Sequence, residues 1–154
     1  MAAKIPDVSN EWDNDKLRTL MANAKRLGRK DVYDLAFRQL CRVEGRKFDD
    51  PLESEFASVM RALEEALTDE RGKTTRLSRT RQKLGRVGVR QTLIDLALKP
   101  SPSVGFLKLL EFGMADMSAE ALILKHRTEF PAEVVEAAHR RLIHYDIKLP
   151  STVG

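Results

Sequence analysis

The chain has 154 residues and a net charge of +4; 42% of the residues are apolar, 32% charged and 6% aromatic. That length suits one ordinary domain with a core of Leu, Val, Ala and Met, and the balance of apolar to charged residues favours a globular fold over a disordered chain. No run approaches the ~18 apolar residues of a bilayer span, MAAKIPDVSNEWDND lacks a signal peptide's apolar stretch, and a single Cys41 excludes an internal disulfide framework, so the expected location is cytoplasmic, without a membrane partner.

Residues 1–13 have no period and read as a flexible arm. A first helix is predicted from Asn14 or Asp15, because Leu17, Leu20, Met21, Ala24 and Leu27 keep the three-and-four spacing of a buried stripe before Gly28. Asp31 is the predicted cap of a second helix carrying Val32, Leu35, Ala36, Leu40 and Val43 up to Gly45, and the short connection predicts a helical hairpin. Asp50, Pro51 and Glu53 supply a capping acceptor, a proline for the first helical position and a capping-box acid for a third helix running to about Thr68. A basic helix is then expected over Thr75–Gly85, and after Gly88 a fifth apolar face from Val89 to Leu98.

The sequence KPSPS at 99–103 breaks the chain, and Ser101 with Pro102 is read as the start of a helix that ends at Gly113. Ser118 opens a short helix, Thr128 with Pro131 opens a last one, and residues 144–154 read as a tail. No alternation of period two calls for a sheet. The expected fold is therefore all-α, with an N-terminal three-helix part (14–70), a basic segment (71–98) and a C-terminal short-helix part (99–143).

Charge is distributed unevenly. Arg71, Lys73, Arg76, Arg79, Arg81, Lys83, Arg86 and Arg90 fall within twenty residues that hold no Asp or Glu, which leaves 19 Lys and Arg against 23 acids elsewhere. On a helical projection Arg76, Arg79, Lys83 and Arg86 share a broad face, with Leu77 and Leu84 roughly opposite. An ordinary solvated helix intersperses Glu among its cations, so this segment points to an anionic partner. The interleaved Thr74, Thr75, Ser78, Thr80 and Gln82 suit phosphate oxygens and base edges. The first seven of these cations are the candidate phosphate contacts.

Within this segment QKLGRVGVRQTLIDLAL, residues 82–98, resembles a helix-turn-helix unit, with Gly88 and Val89 at the turn and Ile94 and Ala97 holding the second helix down. It departs from that pattern at Leu84, where the family carries a small residue. The resemblance implies that Arg90, Gln91 and Thr92 begin a recognition helix and reach base edges, with duplex DNA favoured over RNA and a homodimer as one arrangement.

Other chemistry fails on spacing. Gly72-Lys73-Thr74 repeats the end of a P-loop, but Leu67 stands where its first glycine belongs. Glu136 and His139 form one Glu-x-x-His step without the second that a di-iron site requires. His126 lies between Lys125 and Arg127, where a neutral or solvent-facing ring is expected rather than a catalytic base, and Cys41 beside Leu40 reads as core. The pairs Asp49-Asp50, Glu64-Glu65 and Asp69-Glu70 diverge by about 100° on a helix, which argues against a metal nuclease.

The expectation is a non-catalytic nucleic-acid-binding protein without cofactor or metal. The alternatives are a helical adaptor that docks an acidic protein partner, or an accessory domain or subunit of a nucleic-acid-processing enzyme.

Overall fold

The computed structural model describes residues 5–149, so Met1–Lys4 of the expected arm and Pro150–Gly154 of the expected tail lie outside the described residues. Among those described, seven α-helices and two 3₁₀ turns follow one another without a strand, and the fold is all-α. The packing divides the chain into two compact units, one up to Ala62 and one from Leu63, with the boundary inside the third helix.

In the first unit, α1 (Asn14–Arg26) begins where the Asp13 carboxylate accepts from the backbone N–H groups of Asp15 and Lys16 at 2.9 and 3.2 Å. Leu17, Met21 and Ala24 form its buried face. Gly28, at φ +69°, turns the chain into α2 (Lys30–Gly45), which packs on α1 as the predicted hairpin. Asp31 does not cap α2. The helix starts one residue before it, with Arg29 at the cap position and no side-chain cap. Asp31 therefore lies inside the first turn, where the Arg29 guanidinium hydrogen-bonds it at 2.8 and 3.0 Å and holds its pKa at about 2. Leu27 and Leu35, both expected in the core, are exposed.

The arm is partly docked, since the Gln39 amide donates to the carbonyl of Glu11 at 2.8 Å and the Arg46 guanidinium lies 4.3 Å over the Trp12 ring. In α3 (Pro51–Arg71) Asp50 accepts from Glu53 N–H at 3.0 Å, as the capping pattern predicts. Gly45 lets α2 approach this helix closely, because a Cβ there would stand 2.6 Å from Ser58 Oγ and 2.8 Å from the Ser54 carbonyl. The helix continues past the expected stop at Thr68 to Arg71, with Leu63, Ala66 and Leu67 buried in the second unit.

The basic helix starts later than its sequence suggests. Side chains of α3 capture the amides that would have opened it: Thr75 N–H donates to Thr68 Oγ1 and Leu77 N–H to the Glu64 carboxylate, each at 2.9 Å. Residues 74–77 are non-helical, and α4 runs Ser78–Leu98. Arg76 and Leu77 thus precede the helix instead of sharing its faces. The expected turn at Gly88 and Val89 is a single-residue break, with Gly88 at φ +84° and ψ +171°. Only glycine occupies that region without strain. No neighbouring atom crowds a Cβ at Gly88, so the cost of substitution is conformational. Gly88→Ala should destabilise the second unit by about 1–3 kcal/mol, read as a lowered urea midpoint, and an unchanged midpoint would show that the break does not need glycine.

Beyond α4, Ser103 rather than Ser101 caps α5 (Val104–Glu111): its Oγ accepts from Phe106 N–H at 3.0 Å, and Pro102 precedes the cap instead of opening the helix. A 3₁₀ turn (Ala115–Met117) leads to α6 (Ala119–Lys125), capped by Ser118 as expected, with 3.2 Å from Ala121 N–H to Ser118 Oγ. Thr128 does not open the last helix. It sits in a second 3₁₀ turn (Arg127–Glu129), and α7 (Ala132–His144) starts behind Pro131 without a side-chain cap. The second half of α4 packs on α6 and α7. Val89, Leu93, Ala97, Leu122, Ile123, Val134, Ala138 and Leu142 are among the buried apolar residues of these elements.

Candidate nucleic-acid interface

The eight cations of the basic segment fall into two groups. Arg71, Lys73, Arg76, Arg79 and Arg86 are exposed. Of these, Arg71, Lys73, Arg79 and Arg86 have no carboxylate partner among the described residues, while Arg76 adds to the field at Glu64. Arg79 and Arg86 share one face of α4 with Lys83, within about 60° at 100° per residue.

The other three are tied to acids outside residues 71–90. Arg81 grips Glu64 through both arms, Nε to Oε2 at 2.7 Å and Nη2 to Oε1 at 2.5 Å. Lys83 pairs with Asp95 at 2.5 Å, and Arg90 pairs with Glu129. The absence of acids between residues 71 and 90 therefore does not leave every cation unpaired, because Glu64 arrives from α3, Glu129 from the second 3₁₀ turn and Asp95 from beyond the break in α4 itself. Glu64, at 5% exposure, organises the start of α4. Burial works to raise its pKa, but the Arg81 guanidinium and the Leu77 N–H outweigh that and hold it below the ordinary value. Asp95 is likewise held low, first by Lys83 and then by the Gln91 amide.

The three residues that the helix-turn-helix resemblance assigns to base edges separate as well. Arg90 and Gln91 are exposed, Gln91 donating to Asp95 Oδ1 at 2.8 Å. Thr92 is 1% exposed and donates to the Gly88 carbonyl at 2.8 Å, so its side chain packs beneath the break and does not face solvent.

A second buried charge joins three helices. Arg141 on α7 donates to Glu120 on α6 at 2.8 Å and to the Leu96 and Lys99 carbonyls at the end of α4 at 3.1 and 2.5 Å. From sequence alone this pair takes no role, and Glu64 counts only as half of an acid pair unsuited to a metal nuclease. A signal existed in both cases. Glu64 lies four residues after Met60 on the apolar stripe of α3, and Glu120 sits in the apolar run AEALIL; an acid on a core face requires a cation.

The remaining candidates behave as ordinary structure. Leu67, at the required P-loop glycine, lies within helical α3. Cys41 is buried, and Glu136 and His139 are exposed. His126 is buried, which removes the solvent-facing one of the two alternatives expected from its neighbours, because it follows the apolar run of α6; its Nδ1 lies 3.4 Å from Glu129. Among the described residues no group of three or more His, Cys, Asp or Glu converges as a metal site. Comparison with protein-family models, curated proteins and solved structures finds no match.

Proposed function

We propose that this protein is a non-catalytic nucleic-acid-binding module, with duplex DNA preferred, that grips phosphate through Arg71, Lys73, Arg76, Arg79 and Arg86. The observation that carries the reading is the exposure of these five cations in a stretch without acids, four of them with no carboxylate partner among the described residues. A negatively charged backbone relieves their mutual repulsion and releases counterions as it binds. Arg81 and Lys83 then support the binding surface instead of contacting phosphate. Arg90 and Gln91 are the side chains for base edges, Arg90 by exchanging Glu129 for a base, and Thr92 holds the break beneath them. The lone, buried Cys41 fits a reducing cytoplasm, and a homodimer would double the grip.

Titrating labelled duplex at several salt concentrations tests this. Neutralising about five phosphates gives a slope of log affinity against log salt near −4.5. The double variant Arg79→Ala, Arg86→Ala should flatten that slope by about 2, and comparing random with selected duplexes isolates base readout. Absence of binding at low salt, or an unchanged slope in the double variant, removes the proposal.

A further inference from the structure

At the opposite end of α4 from the basic strip, Leu98, Pro100 and Pro102 line an open groove of about 650 Å³ together with Ala137 on α7. Leu98 is 48% exposed, a large apolar side chain facing water. Lys99 and Arg140 stand on the rim, both exposed, beside His144 and a single acid, Glu133; Arg140 has no carboxylate partner among the described residues, while Lys99 adds to the field at Asp95. Arg141 also lines the groove, but its guanidinium is committed to Glu120 and to the carbonyls that end α4.

We propose that this groove is a docking site for a short acidic peptide segment of a partner protein, one that seats an apolar side chain on Leu98, Pro100, Pro102 and Ala137 and sets its carboxylates on Lys99 and Arg140. Apolar side chains set beside exposed cations give a lining of mixed character, which suits a peptide that carries both apolar and acidic side chains, and the volume falls within the range of ligand sites. The sign of the rim selects acidic segments and rejects basic ones.

Nucleic acid fits the groove less well. Single strands need open aromatic faces for stacking, and the two rings in the lining, His144 and Tyr145, already engage each other at 4.9 Å, with Tyr145 also against Phe106 at 5.3 Å.

The test uses the ¹⁵N-labelled full chain and three probes: a synthetic peptide of alternating Leu and Glu, its counterpart with Gln for Glu, and a DNA duplex. The acidic peptide should shift amide signals of residues 97–102 and 133–145. Its affinity should fall about tenfold on Arg140→Glu, the loss of one charge-assisted contact, and stay unchanged on Arg79→Ala, which lies on the basic strip. Arg140 is exposed, so its replacement leaves the core intact. No shift with the acidic peptide, equal binding of the Gln counterpart, or indifference to Arg140→Glu overturns the proposal. Displacement of the peptide from the groove by duplex also overturns it and assigns the groove to nucleic acid. Failure of the protein to bind DNA leaves the peptide result unaffected, so the two readings fail separately.

Discussion

Arg141→Ala is expected to destabilise the second unit by about 3–5 kcal/mol, the cost of leaving a buried charge without its partner, and to lower the melting temperature by something on the order of 10 °C. Glu120, at 2% exposure, would lose its guanidinium partner, and the Leu96 and Lys99 carbonyls would lose their donor at the same time. Arg141→Lys should recover part of the loss, since one ammonium cannot reproduce a planar fork that reaches a carboxylate and two carbonyls. Urea unfolding of the two variants checks the prediction. A loss below about 1 kcal/mol for Arg141→Ala would place the pair in the class of weak surface bridges.

Glu64→Ala should cost about 3 kcal/mol, the low end of the range, because Arg81 retains some access to water once its partner is gone. The substitution also orphans Leu77 N–H and releases the bond that fixes residues 74–77 beside α3. Acid makes a finer test. The folded-state pKa of Glu64 lies below its ordinary 4.5, so the stability it contributes is fully present above pH 4.5 and is lost as pH falls through the lowered value. Glu64→Gln should therefore be less stable than the parent at neutral pH, and the gap should close on acidification below pH 4.5. A gap that stays constant down to pH 2 would show that the carboxylate's charge plays no part.

Much of the fold is legible from local chemistry. The apolar spacing of α1 to α3, the Asp50-Pro51-Glu53 cap and the Ser118 cap report interactions within one turn, and such signals need no knowledge of distant residues. The misplaced starts share one cause. Asp31 is drawn to Arg29, Ser103 takes the role expected of Ser101, and the first turn of the basic helix yields to acceptors on α3. In each case several polar groups compete for the same donors and acceptors, and sequence spacing alone does not rank them. The basic strip is legible as charge but not as availability, because Glu64, Asp95 and Glu129 meet its cations only through tertiary contacts. The groove was invisible for the same reason: its walls come from residues some forty positions apart, 97–102 and 133–145.

The first half of α4, residues 78–87, contains no buried residue. Its attachment rests on the enclosed Arg81–Glu64 pair and the more open Lys83–Asp95 pair, whose side chains are 31% and 35% exposed. Mobile ions screen the second pair far more than the first. A rise in ionic strength therefore acts twice on this element, by competing for phosphate at Arg79 and Arg86 and by slackening the mooring of the half-helix that presents them. The salt response of such a surface contains an ordering contribution in addition to the number of phosphates held.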